Sequence, residues 1–475
     1  MSTADALLHA LAAELGPAGL LTERAECDAR TADLSGLPAL RALAVARPAT
    51  REQVAAVVRL CARSGVPITP RGGGSGLSGG ATLRRDGSLL LSFERLRAVR
   101  EVDPLGLTLT VEAGLTLHEA QQAAAAAGCR LALDHGGAGS SQIGGNLATN
   151  AGGHNVLRHG MAREQVLALE VVLADGRLLP LPAPLRKNNA GYDLKQLFIG
   201  SEGTLGLITA ATLRLRPAAA VRATALLAAR TLPALLAAFA RAQSALGETL
   251  VAAELMPRAA LRLQAAAGRS EPLPGAGDWL LLLEAESVCR SLDLDAELLA
   301  LYETALAAGE ITDGVLAASG AQAQALWALR EGIAHLMLDH PASLKMDTAV
   351  PIAHIVRFVG DAGAAVRALW PAAQALPFGH VGDGNIHFNV IGPPGCTATE
   401  FEPRRAALAR AIEDCALALG GTVSAEHGIG ALKRDALARQ RGAAELALMA
   451  SLKHWLDPQD LLNPGKLLPD AAPGA

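Results

Sequence analysis

The sequence predicts an α+β fold divided among several domains, and three observations carry that reading. At 475 residues the chain exceeds what one compact core organises, and length alone suggests roughly two to four domains. Helical and strand periodicities alternate along it without internal repeats or long low-complexity linkers. The first glycine-rich loop is followed by a turn and another strand, so the strand–loop–helix unit of a doubly wound dinucleotide fold is absent.

Taken in order, the first twenty residues read as an amphipathic helix with Leu8, Leu11 and Leu15 on one face, interrupted by Asp5, His9 and Glu14. They lack the basic start and unbroken apolar centre of a signal peptide. Thr50 and Gln53 form a capping-box pattern opening a helix whose Val54, Val57, Val58 and Cys61 share a face, and Gly65 ends it. A strand over 66–69 then runs into PRGGGSGLSGG at 70–80, where six glycines in nine positions let backbone N–H groups approach a phosphate or pyrophosphate. Gly74, Gly76 and Gly79 match G-x-G-x-x-G, and Glu94 lies where an acidic ribose partner would. However, Ala81 to Ser88, with a turn at 84–87, leads to a strand over 89–93, not to a helix. A helix capped by Thr116 and Glu119 and ended by Gly128 precedes a second glycine-rich stretch, HGGAGSSQIGGNLATNAGG at 135–153. Two such stretches suit a cofactor with an extended backbone. After Arg216-Pro217, alanine-rich helices alternate with strands, including 251–256 and 279–286.

The formal net charge is −4, and no run of lysine or arginine is long enough to track a phosphate backbone, which excludes nucleic acid as a partner. No apolar run approaches the roughly 18 to 20 residues that span a bilayer. Six cysteines, at 27, 61, 129, 289, 396 and 415, form no CxxC pair, as expected of reduced thiols in a cytoplasmic protein.

The most informative chemistry lies in FGHVGDGNIHFNV at 378–390 and SAEHGIG at 424–430. His380 and His387 flank a glycine-rich bend, and Ile386, Phe388 and Val390 alternate with His387 and Asn389, so one strand face is apolar and the other polar. Two histidines with Glu426 have the composition of a catalytic Zn²⁺ or Mn²⁺ site with an open position, with Zn²⁺ favoured. Asp383 serves the bend or orients a ligand. An imidazole suits proton transfer at neutral pH, which makes His427 the candidate general base.

PRGGGSGLSGG, IGGNLATNAGG, LALEVVLADG and GYDLKQLFIGSEGTLGLIT together resemble the FAD-binding domain of the vanillyl-alcohol oxidase and para-cresol methylhydroxylase superfamily over about 180 residues. The resemblance implies a two-part FAD-binding domain, then an α+β cap domain for substrate, then a C-terminal helical segment returning to the flavin. It implies that Pro70, Arg71, Gly72, Gly73, Gly74, Ser75, Gly76 and Gly79, with Gly139, Ser140, Ser141, Gly144, Gly145, Asn146, Thr149 and Gly152, surround the FAD pyrophosphate. Glu202, Gly203 and Ile208 would lie on the adenine and ribose side, and Asn463 at the flavin. Where the family commonly has Arg-Tyr-Gly this chain has Arg158-His159-Gly160, and some relatives tether FAD covalently, which makes His135, His154 and His159 candidate attachment points. The branch resembled usually holds FAD without a bond.

Further on, LWALRE at 326–331, GHVGDGNIH, SAEHGIGALKRD and the closing segment 456–466 are similar to the FAD-linked D-2-hydroxyacid dehydrogenases, and KNNAGYDLKQLFIGSEGTLG is most like the D-2-hydroxyglutarate dehydrogenases among them. The implied boundaries are an N-terminal helical segment at 1–35, an FAD domain at 36–217, a cap with an antiparallel sheet at 218–395 and the C-terminal segment at 396–475. Arg330 and Lys345 match the cations that hold the two carboxylates of a dicarboxylic substrate, and Asn389 and His427 match groups at its reacting end. Ala334 departs from relatives that carry a hydroxyl there, which puts glutarate specificity in doubt but leaves the chemistry intact. The expected reaction is metal-assisted oxidation of a D-2-hydroxy acid, foremost D-2-hydroxyglutarate, with hydride passing to flavin N5. The rival readings are a D-lactate or broad D-2-hydroxyacid dehydrogenase, a non-redox FAD transferase, and a flavoprotein subunit of a glycolate-oxidase-like complex. Electrons would leave to an electron-transfer flavoprotein, a quinone or a cytochrome. The acceptor could bring the protein to a membrane surface, and a homodimer is compatible with the sequence.

Overall fold

The computed structural model describes residues 2–266, 268 and 272–469. Two compact units emerge. The first gathers residues 1–152, 160–218 and 426–475, and the second 153–159 and 219–425. The sequence places the last boundary at 395/396; in the structure 396–425 belongs to the second unit, because the helix Ala398–Ala418 buries Phe401, Leu408 and Ile412 in that unit's core.

In the first unit, strands β1 (Leu20–Leu21), β2 (Ala44–Ala46), β3 (Ile68–Arg71) and β4 (Leu89–Ser92) form one sheet in the order β1-β2-β4-β3. Both β2 and β3 run parallel to β4. The helix Arg51–Ser64 covers it with Val54, Val57, Val58 and Cys61. Thr50 caps its start, accepting from Gln53 N, and Gly65 ends it at φ 65°, where a left-handed backbone favours glycine. The N-terminal helix Thr3–Leu15 joins the same core through Leu7, Leu11 and Leu15. Leu7 therefore replaces the expected Leu8, since the i, i+4 spacing keeps these three on one face.

The second sheet of this unit holds β5 (Val99–Asp103), β6 (Thr108–Glu112), β7 (Cys129–Leu131), β8 (Val166–Val172), β9 (Leu178–Leu179) and β10 (Leu207–Pro217). Its order is β5-β6-β10-β8-β9, with β7 on the far end of β10. The helix Leu117–Ala126 packs on it behind a complete Thr116–Glu119 capping box. Glu170 on β8 is buried, yet bonds Arg51, Arg100 and Thr209, so its charge is compensated.

The second unit is one eight-stranded, wholly antiparallel sheet. Its strands are β11 (Val221–Ala229), β12 (Leu250–Pro257), β13 (Trp279–Ser287), β14 (Asp313–Leu316), β15 (Ser343–Leu344), β16 (Thr348–Ala349), β17 (Gln374–His380) and β18 (Asn385–Ile391). They run β14-β11-β13-β12-β17-β18-β15, with β16 also on β18. One face buries Ile386, Phe388 and Val390 against the helices Ile355–Leu369 and Ala398–Ala418. The other receives the helix Gly320–Asp339 through Leu326, Leu329, Ile333 and Met337. With both faces covered, every residue of β18 is buried, polar ones included.

The described cysteines are all free. No helix among the described residues is long and apolar enough to cross a membrane.

Candidate active site

Two sets of functional side chains stand out, one in each unit. The first unit carries a groove with about 920 Å³ of empty space, its mouth included. Its walls are the loop after β3, the short helix Ile143–Ala148, the turn at 202–208 and Asn463. Of the residues expected around the FAD pyrophosphate, its adenine and ribose side and its flavin, Gly79, Gly139, Ser140 and Gly152 do not face the groove, and the others line it. Gly73 shows why the loop is glycine-rich: a Cβ there would overlap the carbonyl oxygen of Ser140, so the two glycine-rich segments touch backbone to backbone. Behind the loop, buried Lys466 donates to the carbonyls of Gly79 and Thr82, both at 2.5 Å. Burial, reinforced by Arg84, pulls its ammonium down to about 7.

Glu202 adopts φ 53° and is buried. Burial pushes its carboxyl upward against the N–H groups of Ile429 and Gly430, each donating at 2.7 Å. Asn463 donates to Gly80 O and Glu202 O, which ties the chain's end to the groove. Two buried acceptors on the wall, Gln142 Oε1 and Asn463 Oδ1, meet no hydrogen-bond donor among the described residues. Such atoms call for a ligand with N–H or O–H groups, and the amine, ribityl and ring N–H donors of FAD fit. Gln142 escaped the sequence reading, although it stands inside the motif SSQIGGN. His427 faces the same groove, with Nε2 3.7 Å from Glu426 Oε1.

The second unit carries the polar face of β12, β17 and β18. Register pairs Glu254 with His380, Phe378 with His387 and Leu376 with Asn389, and directly paired residues share a face. The imidazoles of His380 and His387 lie 5.5 Å apart. His380 Nδ1 donates to Glu254 Oε1 at 2.6 Å, and Arg330 Nε donates to Glu254 Oε2 at 2.5 Å. Burial acts to raise the Glu254 carboxyl, but the charges of His380 and Arg330 outweigh it and hold the group below the usual carboxylate range. The guanidinium of Arg330 lies over the Phe378 ring at 4.8 Å.

The segment between β15 and β16 runs past β18 and contributes Lys345, Met346 and Asp347. Asn389 Oδ1 accepts from Met346 N at 2.8 Å. Burial lowers the Lys345 ammonium, and Arg405 adds to that. Asp347 lies 3.8 Å from His387 Nδ1, and the N–H of Ala425 donates to its Oδ2 at 3.0 Å. Asp383 serves the bend, accepting from Asn385 N. Imidazole nitrogens with a carboxylate beside them suit a borderline divalent cation. Glu426, the third expected ligand, falls in the first unit. His154 and His159 fall in the second unit, where the His154 ring lies 4.9 Å from that of Trp327 and 5.6 Å from that of His380. His135 holds Asn146 at 3.3 Å.

Two buried acids were missed by sequence reading. Glu254 had a visible signal, a lone carboxylate inside the apolar strand VAAELM. Asp347 had only its position two residues after Lys345.

Comparison with known proteins defines the class. A model of the FAD binding domain matches residues 42–181, and one of FAD linked oxidases, C-terminal domain, matches 218–467. The chain is 39% identical over 425 residues to a D-2-hydroxyglutarate dehydrogenase of Xanthomonas citri pv. viticola, covering 90% of this chain and 89% of that one. A mitochondrial D-2-hydroxyglutarate dehydrogenase of Bos taurus is 38% identical over 90% of this chain and 77% of its own. Among solved structures, p-cresol methylhydroxylase with substrate bound superposes with a TM-score of 0.80 at 16% identity, over 98% of this chain and 96% of that one, which shows a shared fold. The chain belongs to the FAD-linked D-2-hydroxyacid dehydrogenases, with the fold of p-cresol methylhydroxylase. Its activity is thus the FAD-dependent oxidation of a D-2-hydroxy acid.

Proposed function

We propose that the substrate is D-2-hydroxyglutarate, that a divalent cation, Zn²⁺ before Mn²⁺, assists the reaction, and that the product is the 2-oxo acid. The observation carrying this reading is the second unit's polar face, which sets Arg330 and the segment of Lys345 beside His380 and His387, so that two cations for two carboxylates accompany the metal-capable groups. The relatives named for D-2-hydroxyglutarate support it.

When bound, FAD would supply the hydride acceptor at N5, and the cation would supply Lewis acidity for the substrate hydroxyl. His380, His387 and Glu426 would hold the cation. His427 removes the hydroxyl proton, a task suited to an imidazole because it titrates near neutral pH. Arg330 and Lys345 bind the carboxylates and fix which face of C2 is presented, and Asn389 donates its amide hydrogen to the reacting end. The groove residues described above hold FAD, without a covalent bond to histidine. Electrons pass on to an electron-transfer flavoprotein, a quinone or a cytochrome. Ala334, one helical turn from Arg330, offers no hydroxyl to a distal carboxylate and favours a second reading, a broad D-2-hydroxyacid dehydrogenase.

Anaerobic titration separates these readings. D-2-Hydroxyglutarate is expected to bleach the flavin band more readily than D-lactate or D-malate, with bleaching lost after chelator treatment and restored by Zn²⁺ or Mn²⁺. Equal bleaching by all three acids would select the broad dehydrogenase. A flavin that none of them bleaches would remove the substrate assignment.

A further inference from the structure

Glu254 has no part in the reading above, yet it holds two of its groups at once. It sits mid-strand on β12, fully buried, in register with His380 on the neighbouring strand. One carboxylate oxygen takes Nδ1 of His380 and the other takes Nε of Arg330, which arrives from the helix Gly320–Asp339. Neither sequence pattern nor comparison assigns this residue a role.

We propose that Glu254 is a positioning residue that couples the metal ligand His380 to the substrate-binding Arg330, setting the distance and orientation between cation and carboxylate. The inference rests on the reading that His380 holds the cation and Arg330 the substrate. Its physical basis is the donor and acceptor inventory. A carboxylate facing Nδ1 fixes the proton there, so the lone pair resides on Nε2, the nitrogen a cation would meet. The same carboxylate anchors the guanidinium at Nε, which orients the Nη pair as a fork for a carboxylate. A rigid three-residue bridge between strand and helix restricts both partners to one rotamer, so neither has to be ordered when substrate arrives.

A buried ion pair could instead serve stability alone. Glu284 provides the comparison: it is a buried acid on the adjacent strand whose Oε2 accepts from Trp327 Nε1 at 2.7 Å and from Thr224. Glu254→Gln keeps the side-chain volume but turns one acceptor into a donor, so one of the two bonds is lost.

The test uses full-length, FAD-loaded protein carrying Glu254→Gln, Glu254→Asp or Glu284→Gln. Zn²⁺ affinity is read by competition with a chromophoric chelator, alongside FAD content, melting temperature, and kcat and KM for D-2-hydroxyglutarate. Glu254→Gln is expected to retain FAD, to bind Zn²⁺ about 10- to 100-fold more weakly, and to raise KM more than it lowers kcat at saturating Zn²⁺. Glu284→Gln is expected to lower the melting temperature without moving Zn²⁺ affinity. Should Glu254→Gln fail to fold, Glu254→Asp carries the same readouts, its shorter side chain reaching only one partner. Zn²⁺ affinity and KM within twofold of the unaltered protein, in whichever of these variants folds, overturn the proposal and leave the proposed function standing. Absence of both Zn²⁺ and Mn²⁺ binding by the unaltered protein overturns both.

Discussion

His427 carries the general-base role in the proposed mechanism. It faces the groove whose walls carry the FAD residues, and its neighbour Glu426 is the carboxylate assigned to the cation. A general base of this kind contributes roughly 10²- to 10⁴-fold to a rate, because without it the hydroxyl proton has no positioned acceptor while hydride leaves C2. His427→Ala should therefore slow flavin reduction by about that factor in anaerobic stopped-flow experiments, with the visible flavin spectrum unchanged. Reduction at the normal rate in the variant would remove His427 from the mechanism. A fall in FAD content instead would reassign it to cofactor binding. Gln142 and Asn463 work by a different principle: each presents a buried acceptor to the groove, and a desolvated acceptor left without a donor costs about 1–3 kcal/mol. A bound ligand with N–H or O–H donors would offset that cost.

Among the elements, the loop after β3 and the helix Ile143–Ala148 illustrate how glycine content becomes a binding surface. Gly73 meets Ser140 O at a separation that only a hydrogen allows, and Lys466 draws the carbonyls of Gly79 and Thr82 together from behind. An added methyl at Gly73 must push one segment away from the other, and overpacking of this sort costs about 1–3 kcal/mol. Gly73→Ala is accordingly expected to weaken FAD binding by roughly 10-fold or more, measured by ultrafiltration of the released flavin, with far-ultraviolet circular dichroism retained. Normal FAD retention would mean that the close approach at Gly73 does not shape the cradle. The β12–β17–β18 face follows another rule. Antiparallel register puts alternate residues on one side, so the strand pairing that buries Phe388 and Val390 on one face delivers His380, His387 and Asn389 to the other.

For the whole molecule, the chain builds two units, each with its own cores, and crosses between them at 152/153, 159/160, 218/219 and 425/426. Cofactor and cation should then protect different amides. Hydrogen exchange is expected to slow on FAD loading chiefly over 72–80 and 140–149, and on Zn²⁺ loading chiefly over 380–389 and around 426. Protection spread evenly over both units by either ligand alone would contradict this division of labour.

Much of this was legible along the chain because it depends on neighbours in sequence. Thr50, Gly65, Thr116 and Glu119 set helix ends through bonds spanning a few residues. The glycine loops, the alternation of β18 and the His380–His387 spacing declare their chemistry locally as well. What required the tertiary structure is contact between distant residues. Glu254 meets His380 across 126 positions, and Asp347 meets Ala425 across 78. Strand register makes both pairings, and no local spacing encodes it. The boundary at 425/426 was hidden for the same reason, since the helix Ala398–Ala418 is assigned to a unit by where its apolar face finds a partner. The sequence alone thus determined the fold class, the two glycine-rich segments and the family. Tertiary packing decided which buried carboxylates stand behind the site residues, because burial and compensation of charge are properties of the assembled core.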